Sequence, residues 1–66
     1  MTLDEAINLL KKTVKYSAVK NQKHIDLTLV SAEELPLYEK AMAIVTSEVK
    51  KGTITDKDLK QRIGIP

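Results

Sequence analysis

The sequence predicts a mainly α-helical fold, a small three-helix domain in the order α–extended–α–α that occupies residues 1–66 as a single unit. Three capped helix starts and apolar side chains at helical spacing lead to this prediction. One short segment, residues 25–30, alternates apolar and polar side chains instead, which is typical of a strand. A chain of 66 residues buries only about 60 % of the surface that it exposes when unfolded, so we expect a small core.

The first helix is predicted to begin at Thr2, which can form a capping box with Glu5. Apolar residues then recur at helical spacing along one face: Leu3, Ala6, Ile7, Leu10 and Val14. We expect this helix to end between Ser17 and Lys20, and residues 21–24 to form a polar loop.

Residues 25–30 carry the strand pattern and are rich in branched side chains. A lone strand leaves its backbone hydrogen-bonding groups unpaired, and no second strand is predicted in this chain. Two interpretations stay open: an extended connector that lies over the helices, or a strand that pairs with the same segment of a second copy in a dimer.

The second helix has a capping box at Ser31 and Glu34, but Pro36 lacks the amide that would complete its first turn. The helix therefore either begins closer to Leu35, with a separate turn at Ser31, or bends at the proline. Lys51 is its predicted last residue. Two apolar sides are expected, one formed by Leu37, Ala41, Ile44 and Val45, the other by Tyr38 and Met42.

The third helix is predicted to begin at Thr55 and to end at Gly64. With Gly52 as a break before it and residues 64–66 as a turn after it, this segment resembles the opening half of a helix-turn-helix DNA-binding unit. The resemblance implies that the second helix is the leading helix of such a unit and that residues 56–63 form its positioning helix. It also implies that Leu59 and Ile63 pack these helices against each other. The base-reading residues of that family lie in the following helix, so none is assigned here.

The residues that could perform chemistry are few. The sequence contains no cysteine, which excludes disulfides and cysteine nucleophiles and suits a reducing compartment, so we expect a cytoplasmic location. His24 is the only histidine, with Asp26 as its nearest carboxylate, and we interpret it as a solvated loop residue. The acidic pairs 33–34 and 56–58 lack the number of ligands that a metal needs. We expect no enzymatic activity, no cofactor, no metal and no small-molecule substrate, and no apolar run of the roughly 20 residues that span a bilayer is present.

The charges are unevenly distributed along the chain. The formal net charge is +2, but residues 1–24 carry five lysines and two acids (5 − 2 = +3), whereas residues 25–51 carry three lysines and five acids (3 − 5 = −2). The basic region contains the cluster Lys11, Lys12, Lys15, Lys20 and Lys23. Such a cluster is typical either of a solvated helix face or of a phosphate-binding surface.

These observations predict a non-catalytic cytosolic regulatory or adaptor protein that acts through helix-mediated contacts with a protein partner. Its amphipathic surface exceeds what one small core can cover, so we expect self-association as a homodimer. The predicted contact residues are Leu9, Tyr38 and Met42. The alternative is a helix-turn-helix-like nucleic-acid-binding protein whose contacts to phosphates come from the lysine cluster with help from Arg62.

Overall fold

The computed structural model describes residues 1–65 and shows a mainly α-helical protein with a two-stranded antiparallel sheet. The elements in chain order are α1 (Leu3–Lys11), β1 (Val14–Ser17), β2 (Gln22–Ile25), a 3₁₀ helix (Leu27–Leu29), α2 (Leu35–Lys51) and α3 (Asp56–Ile63). Within the described residues, no helix has both the length and the apolar character that crossing a bilayer requires.

The start of α1 is the predicted capping box. The backbone amide of Glu5 donates to Thr2 Oγ1 (3.2 Å), and the amide of Thr2 donates to Glu5 Oε1 (3.0 Å). This second hydrogen bond lowers the pKa of the Glu5 carboxyl from its ordinary value. The helix ends at Lys11, earlier than predicted, because the chain turns at Thr13. Thr13 is 2 % exposed, and its hydroxyl donates to the Leu10 carbonyl (2.8 Å).

A β-hairpin replaces the predicted last turns of α1 and the predicted polar loop. Strands β1 and β2 pair antiparallel, with Val14 opposite Ile25 and Ser17 opposite Gln22. The turn between them contains Asn21 in the left-handed conformation (φ 52°). The expectation of a single strand in this chain was therefore wrong, since the partner strand lies in the segment assigned to the helix.

The segment 25–30 is not the predicted strand, because only Ile25 belongs to β2 and Leu27–Leu29 form the 3₁₀ helix. The Asp26 carboxylate caps this helix by accepting from the Thr28 amide, and the Asp26 amide donates to the Thr13 carbonyl (2.9 Å). Hydrogen bonds from the Thr28 hydroxyl and amide hold the pKa of Asp26 below its ordinary value. The segment is therefore a connector, the first of the two interpretations. The hydrogen bonds of its 3₁₀ helix and of Asp26 are made within one chain, so it does not need to pair with the same segment of a second copy.

Helix α2 begins at Leu35, with Pro36 in its first turn, and Ser31 forms a separate turn in which its carbonyl accepts from the Leu35 amide (3.0 Å). The later of the two predicted starts is therefore confirmed. The helix ends at Lys51, followed by Gly52 in the left-handed conformation (φ 82°), as the sequence predicts. Helix α3 has its predicted caps as well, at Thr55 and Gly64.

The core lies around α1, which packs most extensively against α2 and less extensively against α3. Its buried apolar side chains come from all three helices and the loop before α3: Ala6, Ile7, Leu10, Tyr38, Ala41, Val45, Ile54, Leu59 and Ile63. The predicted apolar sides of α2 are partly wrong. Tyr38 is buried among the core residues, whereas Leu37 is 46 % exposed.

Candidate functional site

Of the three predicted protein-contact residues, Tyr38 belongs to the protein's own core, whereas Leu9 and Met42 pack against its edge. Tyr38 is only 7 % exposed, and Leu9 and Met42 are half-buried against the buried cluster. A small domain has few large apolar side chains, and Tyr38 is used in its core. Tyr38 is therefore not available to a partner on the surface, whereas Leu9 and Met42 retain part of their exposed surface.

The predicted lysine cluster does lie on a continuous part of the structure. We use the term basic hairpin for residues 11–25, which comprise the last residue of α1, β1, the turn and β2. This segment contains five lysines and no acidic residue, and all five lysines are exposed: Lys11, Lys12, Lys15, Lys20 and Lys23. The cluster is thus built on a hairpin and not, as predicted, on a helix followed by a loop.

The ion pairs of the protein lie elsewhere. Lys51 pairs with Glu48 (3.7 Å) on the surface of α2, and Lys60 pairs with Asp56 (3.2 Å) on the surface of α3. In residues 1–65, none of the five lysines of the basic hairpin lies within salt-bridge distance of an acid. Within the described residues, their charges therefore face solvent.

Arg62 does not join the lysine cluster. Its Nη1 atom lies 3.7 Å from Asp4 Oδ1, near the first turn of α1. Lys11 is at the other end of that helix, roughly 10 Å away along the axis at 1.5 Å per residue. The Arg62 guanidinium thus lies beside a carboxylate away from the hairpin, and a contribution of Arg62 to a phosphate-binding surface stays a prediction.

The two faces of the hairpin carry different side chains. Val14 and Ile25 pack against the core, and the next pair on the same face, Tyr16 and Lys23, extends beyond it. The opposite face carries Lys15 paired with His24 and Ser17 paired with Gln22. Tyr16 is 55 % exposed and Val19, in the turn, is 97 % exposed. Sequence reasoning did not identify Tyr16, although the alternating segment Val-Lys-Tyr-Ser carries a strand signal.

His24 and Asp26 do not form a catalytic pair. His24 lies on β2 and is half-buried, and its Nδ1 atom is buried without a hydrogen-bond partner in the described chain. The Asp26 carboxylate is engaged by Thr28 instead. No group of three or more potential metal-ligating side chains converges within residues 1–65.

The helix-turn-helix resemblance finds no support in the packing of the helices. Leu59 and Ile63 are buried, but α3 makes its main helix contacts with α1. The resemblance therefore does not extend to an extensive α2–α3 contact. Pro66, the last residue of the predicted turn, lies outside the described residues.

The outer surface of α2 carries two shallow, adjoining grooves of about 450 and 430 Å³. Ala43 and Ser47 line both of them. Met1 and Ile44 also line the first groove, and Met42 lines the second. The grooves are open and contain a mixture of small, apolar and lysine side chains.

Comparisons with protein-family models, with curated proteins and with solved structures find no match to this chain. Its function must therefore be inferred from the basic hairpin and from the grooves on α2.

Proposed function

We propose that this protein is a small non-catalytic binding protein that engages nucleic acid through its basic hairpin, mainly by contacts to phosphates. The observation that carries the proposal is the concentration of five exposed lysines, without one acidic residue, in residues 11–25. The rest of the chain has the opposite balance, because a net charge of +2 minus these five charges leaves −3. The excess of positive over negative charge is thus confined to this segment.

The dimensions of the hairpin suit a polyanion. A strand of four residues is roughly 13 Å long, and one nucleic-acid strand carries a phosphate about every 3.4 Å of helix axis. The lysines extend from the end of α1 through both strands to the turn, so several can contact neighbouring phosphates of one strand. Because they lack salt-bridge partners within residues 1–65, binding does not have to break an existing ion pair.

Binding is expected to weaken steeply with salt. If three to five lysines each neutralise one phosphate of a single strand, the slope of log K against log salt concentration will lie between about −2 and −3.5. Fluorescence anisotropy of an end-labelled oligonucleotide, titrated with the protein at several salt concentrations, measures this slope. An affinity that does not change with salt, or no binding at low salt, would reject the proposal.

A second candidate function, contact with a second copy or a protein partner through α2, is favoured by the grooves around Ala43 and Ser47. Small side chains on a helix surface let another helix approach closely, and Met42 and Ile44 offer apolar surface beside them. This candidate retains the adaptor prediction but moves its surface from Tyr38 to the outer side of α2. A cytoplasmic location stays a prediction.

Light scattering at micromolar concentration tests this second candidate. It predicts the mass of two chains for the unmodified protein and of one chain for Ala43→Glu, because a carboxylate would be buried in the contact. Ala32→Glu introduces the same side chain at an exposed position before α2 and is expected to leave the mass unchanged. A single-chain mass for the unmodified protein would exclude self-association.

A further inference from the structure

We infer that the basic hairpin binds single-stranded nucleic acid, with one unpaired base stacked on the ring of Tyr16 and the neighbouring phosphates held by Lys20 and Lys23. This inference rests on the proposed function and specifies its ligand. Tyr16 is 55 % exposed, although a large aromatic side chain on a small domain would ordinarily contribute to the core.

The ring of Tyr16 is held in place without being covered. Its hydroxyl donates a hydrogen bond to Asn21 Oδ1, across the turn of the hairpin. Asn21 lies in the turn of the hairpin with a left-handed backbone conformation (φ 52°). An aromatic ring whose orientation is set before binding loses little conformational entropy when a base stacks on it. The exposure of the ring and its hydrogen bond to Asn21 are the features expected of a surface on which a base stacks. They are not those of a side chain that packs in the core.

Two lysines lie close to this platform in the hairpin. Lys23 is the cross-strand partner of Tyr16, so their Cβ atoms lie about 5 Å apart. Lys20 lies in the turn between the two strands, whereas Lys15 lies on the opposite face of the hairpin. Phosphates on either side of a base stacked on Tyr16 would therefore meet an ammonium group within the reach of a lysine side chain.

A single strand fits this arrangement better than a duplex. In a duplex the faces of the bases are stacked on each other and are not available to a side chain, whereas unpaired bases stack readily on aromatic rings. The second tyrosine, Tyr38, is buried and cannot take part. Single-stranded DNA and single-stranded RNA present the same base faces and phosphates, so the inference applies to both.

The decisive experiment compares Tyr16→Leu with Tyr16→Phe. Labelled oligo(dT), oligo(U) and a duplex are titrated by anisotropy, and inorganic polyphosphate, which has charge but no bases, serves as an unlabelled competitor. Tyr16→Leu is expected to weaken binding of the single strands roughly tenfold. The dissociation constant for polyphosphate, derived from the competition after allowing for the weaker binding of the labelled strand, should stay unchanged. Tyr16→Phe retains the ring and should bind nearly as well as the unmodified protein.

Tyrosine fluorescence gives an independent readout, because the chain has two tyrosines and no tryptophan. After correction for absorption by the oligonucleotide, base stacking should quench the emission of the unmodified protein and leave that of Tyr16→Leu, which retains only Tyr38, unchanged. Circular dichroism confirms that each variant is folded, as expected for an exposed position.

The outcomes separate the two proposals. Salt-dependent binding in which Tyr16→Leu equals the unmodified protein, or in which the duplex binds as tightly as the single strands, overturns the stacking inference and leaves phosphate binding intact. No binding of any of these polyanions at low salt overturns both. A preference for oligo(dT) or for oligo(U), if lost in Tyr16→Leu, supports the inference and identifies the type of strand.

Discussion

Replacing Leu10 with alanine is expected to remove much of the stability of this protein. Leu10 is 0 % exposed and lies on α1, the helix that contacts both other helices. Truncation of a buried leucine typically costs about 2–5 kcal/mol through lost burial and the cavity that remains. A domain of this size is expected to have a free energy of unfolding of only about 3–10 kcal/mol. The melting temperature should therefore fall by at least about 10 °C, as followed by circular dichroism.

Leu37→Ala is the matched control for this prediction. It makes the same change in α2, but Leu37 is 46 % exposed, so its truncation should alter the free energy of unfolding by less than about 1 kcal/mol. If Leu10→Ala and Leu37→Ala melted within a few degrees of each other, α1 would not be the centre of the core.

Much of the helical part of this fold could be predicted because local signals and tertiary structure agree there. The helix starts at Thr2 and Thr55 depend on hydrogen bonds between residues three apart in sequence. The helix ends at Gly52 and Gly64 depend on the left-handed backbone conformation of the glycine itself. The start of α2 was left open between two positions, and the missing amide of Pro36 explains why the later one is adopted.

The hairpin was missed because Val14 satisfies two periodicities. It continues the helical spacing of Leu10, and it is also the first core-facing residue of β1, opposite Ile25. The hydrogen bonds of Thr13 end the helix before Val14. Its hydroxyl donates to the Leu10 carbonyl, and its carbonyl accepts from the Asp26 amide. The bond to Asp26 joins residues that are distant in sequence, so helical spacing alone could not reveal it.

The sequence predicted the positive charge of the candidate site but not the arrangement of its side chains. Composition alone identified the lysine cluster, because the segment has no acids to neutralise it. The burial of Tyr38 and the exposure of Tyr16 could not be derived, since each depends on which side of its element meets α1. Because the first helix was predicted to extend past Tyr16, this residue was assigned to a helix instead of to β1. Its position opposite Lys23 could therefore not be predicted.

Removing three charges from the basic hairpin is expected to have the largest effect on function. The variant Lys15→Gln, Lys20→Gln and Lys23→Gln retains most of the side-chain length of each residue but loses its charge. If each lysine contacts one phosphate of a single strand, the salt slope should become less negative by about 2, and affinity at low salt should fall by at least about tenfold. The anisotropy titration described above measures both quantities.

A second triple variant separates local from overall electrostatics. Lys40→Gln, Lys50→Gln and Lys57→Gln change exposed lysines on α2 and α3 that take no part in the ion pairs of residues 1–65. Both triple variants lower the formal net charge from +2 to −1 (2 − 3). Any difference in affinity between them therefore reflects where the charges lie. Equal losses in the two variants would show that nucleic acid is attracted by the net charge, and the hairpin would lose its assignment as the binding surface.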